Sequence, residues 1–371
     1  MKVLYDHQAF FNQDYGGISR YFFELMNQYN QTNICDFDLS VLFSNNDYLL
    51  SSSFCKPISV FKNNQFVRGS KFYRIFNTFG KLNSKLSISS GNFDVFHPTS
   101  FDPYFLSSLH KKPFVLTVHD MAHEANPELF SKIDKTSQVK ELLSKKADRL
   151  IAVSNSTKKE LIKFFDIDKD KIDVVYHGNS IVKPNSVITI PGLPEKYILF
   201  IGQRLLYRNF LFSLKALKNI IIQHNLSFVC AGGPKFNESE KKVISECGLD
   251  DRVFHYSVND ETLYSFYKNA ELLLFPSYYE GFGIPLLEAF NVGCPVVLSN
   301  TTSFPEVALD AGEYFVPTSE RSIQRAVLRV LTKSNYSNKL IKRGLERAKY
   351  FSWGKCANET LKVYEKVINK K

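Results

Sequence analysis

At 371 residues the chain is too long for one small core and, at roughly 100–200 residues per domain, divides into two. With 44% apolar and 23% charged residues it is not a disordered chain, and no apolar run approaches the roughly 20 residues a membrane-spanning helix needs. The net charge of +10 admits nucleic acid, an anionic membrane surface or a phosphate-bearing substrate, and does not choose among them.

In chain order, short apolar, β-branched runs alternate with segments of helical period. The first half predicts strands at 2–5, 39–43, 94–97, 114–119, 149–153 and 173–177, with helices such as 18–29 and 157–165 between them. The opening run reaches Asp6 after three apolar residues, which suits a first strand and is too short for a signal-peptide core. Six cysteines without paired spacing fit a reducing compartment, so a cytoplasmic protein is expected. Residues 178–195 hold Pro184, Pro191, Gly192 and Pro194 and read as a linker. The rhythm resumes with strands at 198–202, 227–231, 253–256, 272–275 and 295–299 and helices near 210–223, 238–246, 261–268 and 285–290; from 319 onward the chain is helical and charged. Continuous apolar strands indicate parallel sheets covered on both faces, so the expected class is α/β, two Rossmann-like doubly wound domains over 1–180 and 195–353. Ligands bind such sheets at the carboxyl ends of strands, and a cleft between the domains is the expected site.

The motif Pro276-Ser-Tyr-Tyr-Glu280-Gly281-Phe282-Gly283-Ile284-Pro285-Leu-Leu-Glu288 follows one strand and opens a helix. Pro285 suits the first helical position, and the N–H groups of that first turn, approached over Gly281 and Gly283, cradle an anion or sugar oxygens. Glu280 and Glu288 offer acceptors for hydroxyl groups; the plain alternative is a helix start with two exposed acids. Upstream, Arg204 and Arg208 lie four apart beyond the end of a strand and are placed to clamp a diphosphate, although an isolated pair like this is commonly solvated. Ala231-Gly232-Gly233-Pro234 is a tight strand exit, and the strand ending at Tyr256-Ser-Val258 would lie near a nucleobase. In the first half, Tyr15-Gly16-Gly17-Ile18-Ser-Arg20 resembles a phosphate-approach loop but lacks dinucleotide spacing, and His97 and His119 end two strands.

These residues together resemble family 4 of the retaining glycosyltransferases, of GT-B fold, over nearly the whole chain. The likeness is carried by Gly16-Gly17-Ile18, His119-Asp120, Val153-Ser-Asn-Ser156, Arg204…Arg208-Asn209, Ala231-Gly-Gly-Pro234 and the two glutamates eight apart; Gly-Gly-Ile-Ser-Arg-Tyr-Phe looks most like bacterial mannosyltransferases of O-antigen synthesis. The resemblance implies two domains facing across a cleft, with the C-terminal helix (354–371) packed on the first. Catalytic roles would fall to His119, at the donor sugar's 6-position, to Arg204 and Arg208, on the departing diphosphate, and to Glu280, on the donor sugar with the amides of Phe282 and Gly283. Gly17, Asn209, Gly232, Val258, Gly281, Ile284 and Glu288 would complete the donor site, Glu288 at the ribose. Arg208 stands where the family usually has lysine, which replaces a point charge by a planar fork.

The implied reaction transfers a hexose, with GDP-mannose the favoured donor, to a glycan or lipid-linked acceptor with retention, without protein nucleophile, cofactor or metal. Asp36-Phe-Asp38 and Asp168-Lys-Asp170 have metal-binding spacing but read as solvated. Between residues 56 and 93 stand seven basic residues, no acid, and Phe66, Phe72, Ile75, Phe76, Phe79, Leu82 and Leu86 near helical spacing. Such a segment covers a sheet or lies peripherally on anionic lipid. A sugar-nucleotide epimerase is the neighbouring alternative. A nucleic-acid-binding protein is the distant one, disfavoured by dispersed charge and cleft acids.

Overall fold

The computed structural model describes residues 1–59, 70–181, 183–184 and 188–369, so Phe66 lies outside it. The chain forms two compact units, Met1–His177 with Trp353–Lys371, and Gly178–Ser352.

The first unit holds β1 (Lys2–Asp6), β2 (Asp36–Ser40), β3 (Val95–His97), β4 (Val115–Val118), β5 (Arg149–Ala152) and β6 (Ile172–Val174). Two parallel three-stranded sheets, β2-β1-β3 and β4-β5-β6, are linked by a parallel bridge between Phe96 and Phe114. The order reverses between β1 and β3. β3, β4 and β5 are buried throughout, which explains their unbroken apolar runs. β2 falls three residues before the sequence expectation. It is an edge strand with Asp36 and Asp38 exposed, and alternation leaves it without an apolar run to reveal it. Asp38 pairs with Lys2 at 2.8 Å, while Asp168 and Asp170 sit exposed at a 3-10 turn. The helix Trp353–Ile368 completes this unit: Tyr364 Oη lies 2.8 Å from Tyr5 Oη, and Lys366 pairs with Asp173 at 2.6 Å.

The second unit holds β7 (Tyr197–Ile201), β8 (Ser227–Ala231), β9 (Val253–Tyr256), β10 (Leu272–Phe275), β11 (Val296–Ser299) and β12 (Glu313–Phe315) in one parallel sheet ordered β12-β11-β10-β7-β8-β9. β12 escapes a sequence reading because it is a three-residue edge strand with only Phe315 buried. Direction reverses between β7 and β10, so their carboxyl ends flank the switch point where doubly wound sheets bind ligands. The stretch read as a linker is tied to this unit by Asn291 Nδ2 donating to Ile181 O (3.0 Å) and Tyr256 Oη donating to Gly192 O (2.5 Å).

Candidate active site

Two loops meet at the switch point of the second unit's sheet. One leaves β7 through a 3-10 turn, Leu206–Arg208, into the helix Phe210–Gln223; the other leaves β10 and enters the helix Ile284–Val292. Tyr278 N donates to Tyr207 O at 2.8 Å and joins them. Across this junction Arg208 Nη1 lies 3.0 Å from Glu280 Oε1, which also accepts from Ser277 Oγ at 3.0 Å. The loop is held from behind: Thr302 Oγ1 accepts from Glu280 N (3.2 Å), and Ser303 Oγ donates to Glu280 O (2.9 Å) and Phe282 O (3.3 Å). Gly283 caps the helix at φ 93°, a left-handed conformation that a side chain would strain, and a Cβ there would stand 3.0 Å from Phe304. Gly281 and Phe282 are buried beside it, Ile284 half-buried.

Arg204 departs from its expected role. Its Nε donates to Glu240 Oε1 at 2.8 Å, its Nη2 to Glu240 Oε2 at 3.3 Å and to Pro234 O at 2.5 Å, and its guanidinium lies 4.6 Å from the Phe236 ring centre. The side chain is 1% exposed against 21% for Arg208. Of the two, Arg208 keeps the more accessible guanidinium, and Arg204 is a strut bracing the loop after β8. That loop is close-packed: Gly233 has φ 71°, and a Cβ on it would come 2.9 Å from Gly202 O. Val258 Cγ2 lies 3.2 Å from where a Cβ on Gly232 would stand.

Two further residues are turned inward. Asn209 is 4% exposed, has φ 58°, and spends its Nδ2 on Pro317 O at 2.9 Å, so it fixes the entry of a helix. Glu288 is 3% exposed rather than standing in the open, and its Oε2 accepts from Tyr267 Oη at 2.7 Å.

In the first unit, Gly17 is exposed at the start of the helix Gly17–Thr32, with Ser19 N bonded to Gln13 Oε1 at 3.0 Å. His97 is a structural histidine: Nδ1 meets Tyr364 Oη at 2.6 Å and Nε2 meets Thr117 Oγ1 at 2.9 Å, and burial lowers its pKa to about 3. His119 packs edge-on against Tyr21 at 5.0 Å, and its buried Nε2 has no hydrogen-bond partner among the described residues. Burial lowers its pKa to about 4, so it is a neutral imidazole at pH 7.

Among the described residues no group of three or more His, Cys, Asp or Glu could hold a metal ion, and no helix is long and apolar enough to cross a membrane.

The family model for glycosyltransferase family 4 matches residues 15–180, and that for glycosyl transferases group 1 matches 189–347. The chain belongs to these glycosyltransferases. As a glycosyltransferase it is 27% identical, over 77% of its length and 78% of the other's, to an uncharacterised glycosyltransferase of Methanocaldococcus jannaschii. It is 29% identical to O-antigen chain mannosyltransferase B of Escherichia coli, over 68% of this chain and 70% of that one. Sucrose-phosphate synthase of Thermosynechococcus elongatus shares the GT-B fold, with a TM-score of 0.79, 18% identity and coverage of 100% and 99%. Sequence reasoning missed Glu240 in this glycosyltransferase. It sits at the third position of the helix Glu238–Glu246 and forms a capping box with Asn237, so it reads as an ordinary helix start.

Proposed function

We propose that this glycosyltransferase moves mannose from GDP-mannose to a glycan or lipid-linked acceptor in surface-polysaccharide synthesis, with retention of configuration. The observation that carries the reading is the Arg208–Glu280 pair, 3.0 Å apart across the switch-point loops. A donor diphosphate would take up Arg208, whose guanidinium neutralises the charge that grows on the leaving phosphate. Glu280, released from that contact, would accept from donor-sugar hydroxyls, with the amides at Phe282, Gly283 and Ile284 beside it and Gly281 allowing approach. Glu288 would receive a ribose hydroxyl, with Gly232 and Val258 near the base. Gly17 is the proposed phosphate approach of the first unit, and His119 Nε2 would exchange a hydrogen bond with a substrate hydroxyl. The leaving phosphate accepts the acceptor's proton, so neither a protein nucleophile nor a metal enters the step. The relative's printed name, an O-antigen chain mannosyltransferase, supports the choice of sugar.

The test is incubation of the protein with GDP-mannose and a mannose-terminated acceptor, the new linkage being read by NMR. An α-mannoside, formed equally in EDTA, supports the reading. A β-mannoside contradicts retention, loss of activity in EDTA contradicts the metal-free step, and an altered sugar formed from donor alone favours epimerisation.

A further inference from the structure

The helix Lys71–Ser90 is attached to the first unit along one face only. Gly80, Ser84 and Ile88 are its buried residues. Ser84 Oγ lies 2.8 Å from His7 Nδ1 and 2.9 Å from Ser40 Oγ, and a Cβ on Gly80 would meet the His7 ring at 2.8 Å. Phe76, which the sequence groups with the apolar stripe, turns inward onto Phe43, with ring centres 4.9 Å apart.

Ile75, Phe79, Leu82 and Leu86 stay outside, at 40%, 52%, 53% and 65% exposure. At about 100° per residue these four share an arc of about 60°, well away from the buried face. Lys71, Arg74, Lys81 and Lys85 occupy the adjoining arc of about 80°, between the apolar stripe and the protein body. Lys81 is spent on Asp102 at 2.5 Å, which leaves three cations in the band; residues 70–93 contain no acid.

We infer that this stripe docks on an anionic lipid surface, with Ile75, Phe79, Leu82 and Leu86 entering the headgroup boundary and Lys71, Arg74 and Lys85 meeting lipid phosphates. The charge pattern selects this occupant. A second copy packed stripe to stripe would bring two cation bands together without an acid to offset them, whereas anionic headgroups supply the missing sign. The inference stands apart from the transferase reading, because lipid attachment needs neither donor nor acceptor.

The experiment is co-sedimentation of the whole chain with vesicles of phosphatidylcholine alone, or of equal parts phosphatidylcholine and phosphatidylglycerol. Binding to the anionic vesicles at low salt, weakened at high salt, is expected. Lys71→Gln/Arg74→Gln/Lys85→Gln should weaken it about 100-fold, at roughly five-fold per cation. Leu82→Asp/Leu86→Asp should weaken it at least about ten-fold, with an unchanged circular-dichroism spectrum. If the leucine variant fails to fold, the charge variant decides. Lys241→Gln/Lys242→Gln, in the other unit, should bind as the unaltered chain does. Absence of binding at low salt, equal losses from the Lys241/Lys242 control, or a dimer that Leu82→Asp/Leu86→Asp converts to monomer would each overturn the inference.

Discussion

The carboxyl strand ends of the two units handle polar chemistry in opposite ways. The second unit commits its charged side chains to partners: Arg204 to Glu240, Arg208 to Glu280 and Glu288 to Tyr267. The first unit surrounds its strand ends with imidazoles that burial keeps neutral, His97 and His119 with pKa values of about 3 and 4, and His7 and His177 also lowered. Paired charges hold loops in one geometry and keep a cation near the surface; neutral imidazoles bond without the cost of a buried charge. The contrast separates an edge that keeps ions in pairs from an edge that keeps neutral hydrogen-bonding rings.

Acid should distinguish the two most strongly. An imidazole with a depressed folded-state pKa contributes stability that is complete above its unfolded value of 6.5 and lost as pH falls toward the folded value. Each such histidine costs about 1.4 kcal/mol per pH unit in that window. Calorimetry between pH 7 and 4 should therefore show the first unit's transition moving down by several kcal/mol, roughly, ahead of the second's. A second unit that melts first on acidification would break the contrast.

Next in size is Glu240→Ala, which strands the buried Arg204 and should lower the second unit's stability by about 3–5 kcal/mol in urea titration. Turnover at a permissive temperature should survive, since Arg204 braces a loop. Arg208→Ala should show the reverse pattern, with turnover down by about 10²–10³ and the melting point nearly unchanged. A smaller effect is expected for His97→Phe, which leaves Tyr364 and Thr117 short of a partner and should cost about 1–3 kcal/mol with kcat intact. Equal effects of Arg204→Ala and Arg208→Ala on kcat would show that the two arginines are not divided as the structure divides them.

The sequence carries the outline of this division but not its partners. Glu280 and Gly283 stood out because a strand end, a proline in the first helical turn and two glycines coincide in one short stretch, whereas Arg208 was read from the end of a different strand. The strut role of Arg204 was not, since Glu240 lies 36 residues further along and already has a local purpose as a helix cap. The structural part Asn209 plays was hidden for a related reason: its αL backbone and its bond to Pro317 use a residue type that also suits ligands. His97 and His119 both end strands in sequence, and only the three-dimensional positions of Tyr364 and Thr117 separate the satisfied histidine from the one whose Nε2 has no hydrogen-bond partner among the described residues. Phe76 has the same periodicity as its neighbours, and only the nearby Phe43 shows that it faces inward.

The most direct measurement is calorimetric titration of GDP and guanosine into the unaltered chain and Arg208→Ala. A charge-assisted phosphate contact at Arg208 predicts GDP binding weakened by about 10- to 100-fold in the variant, with guanosine binding unaffected. GDP binding of equal strength in both proteins would contradict it.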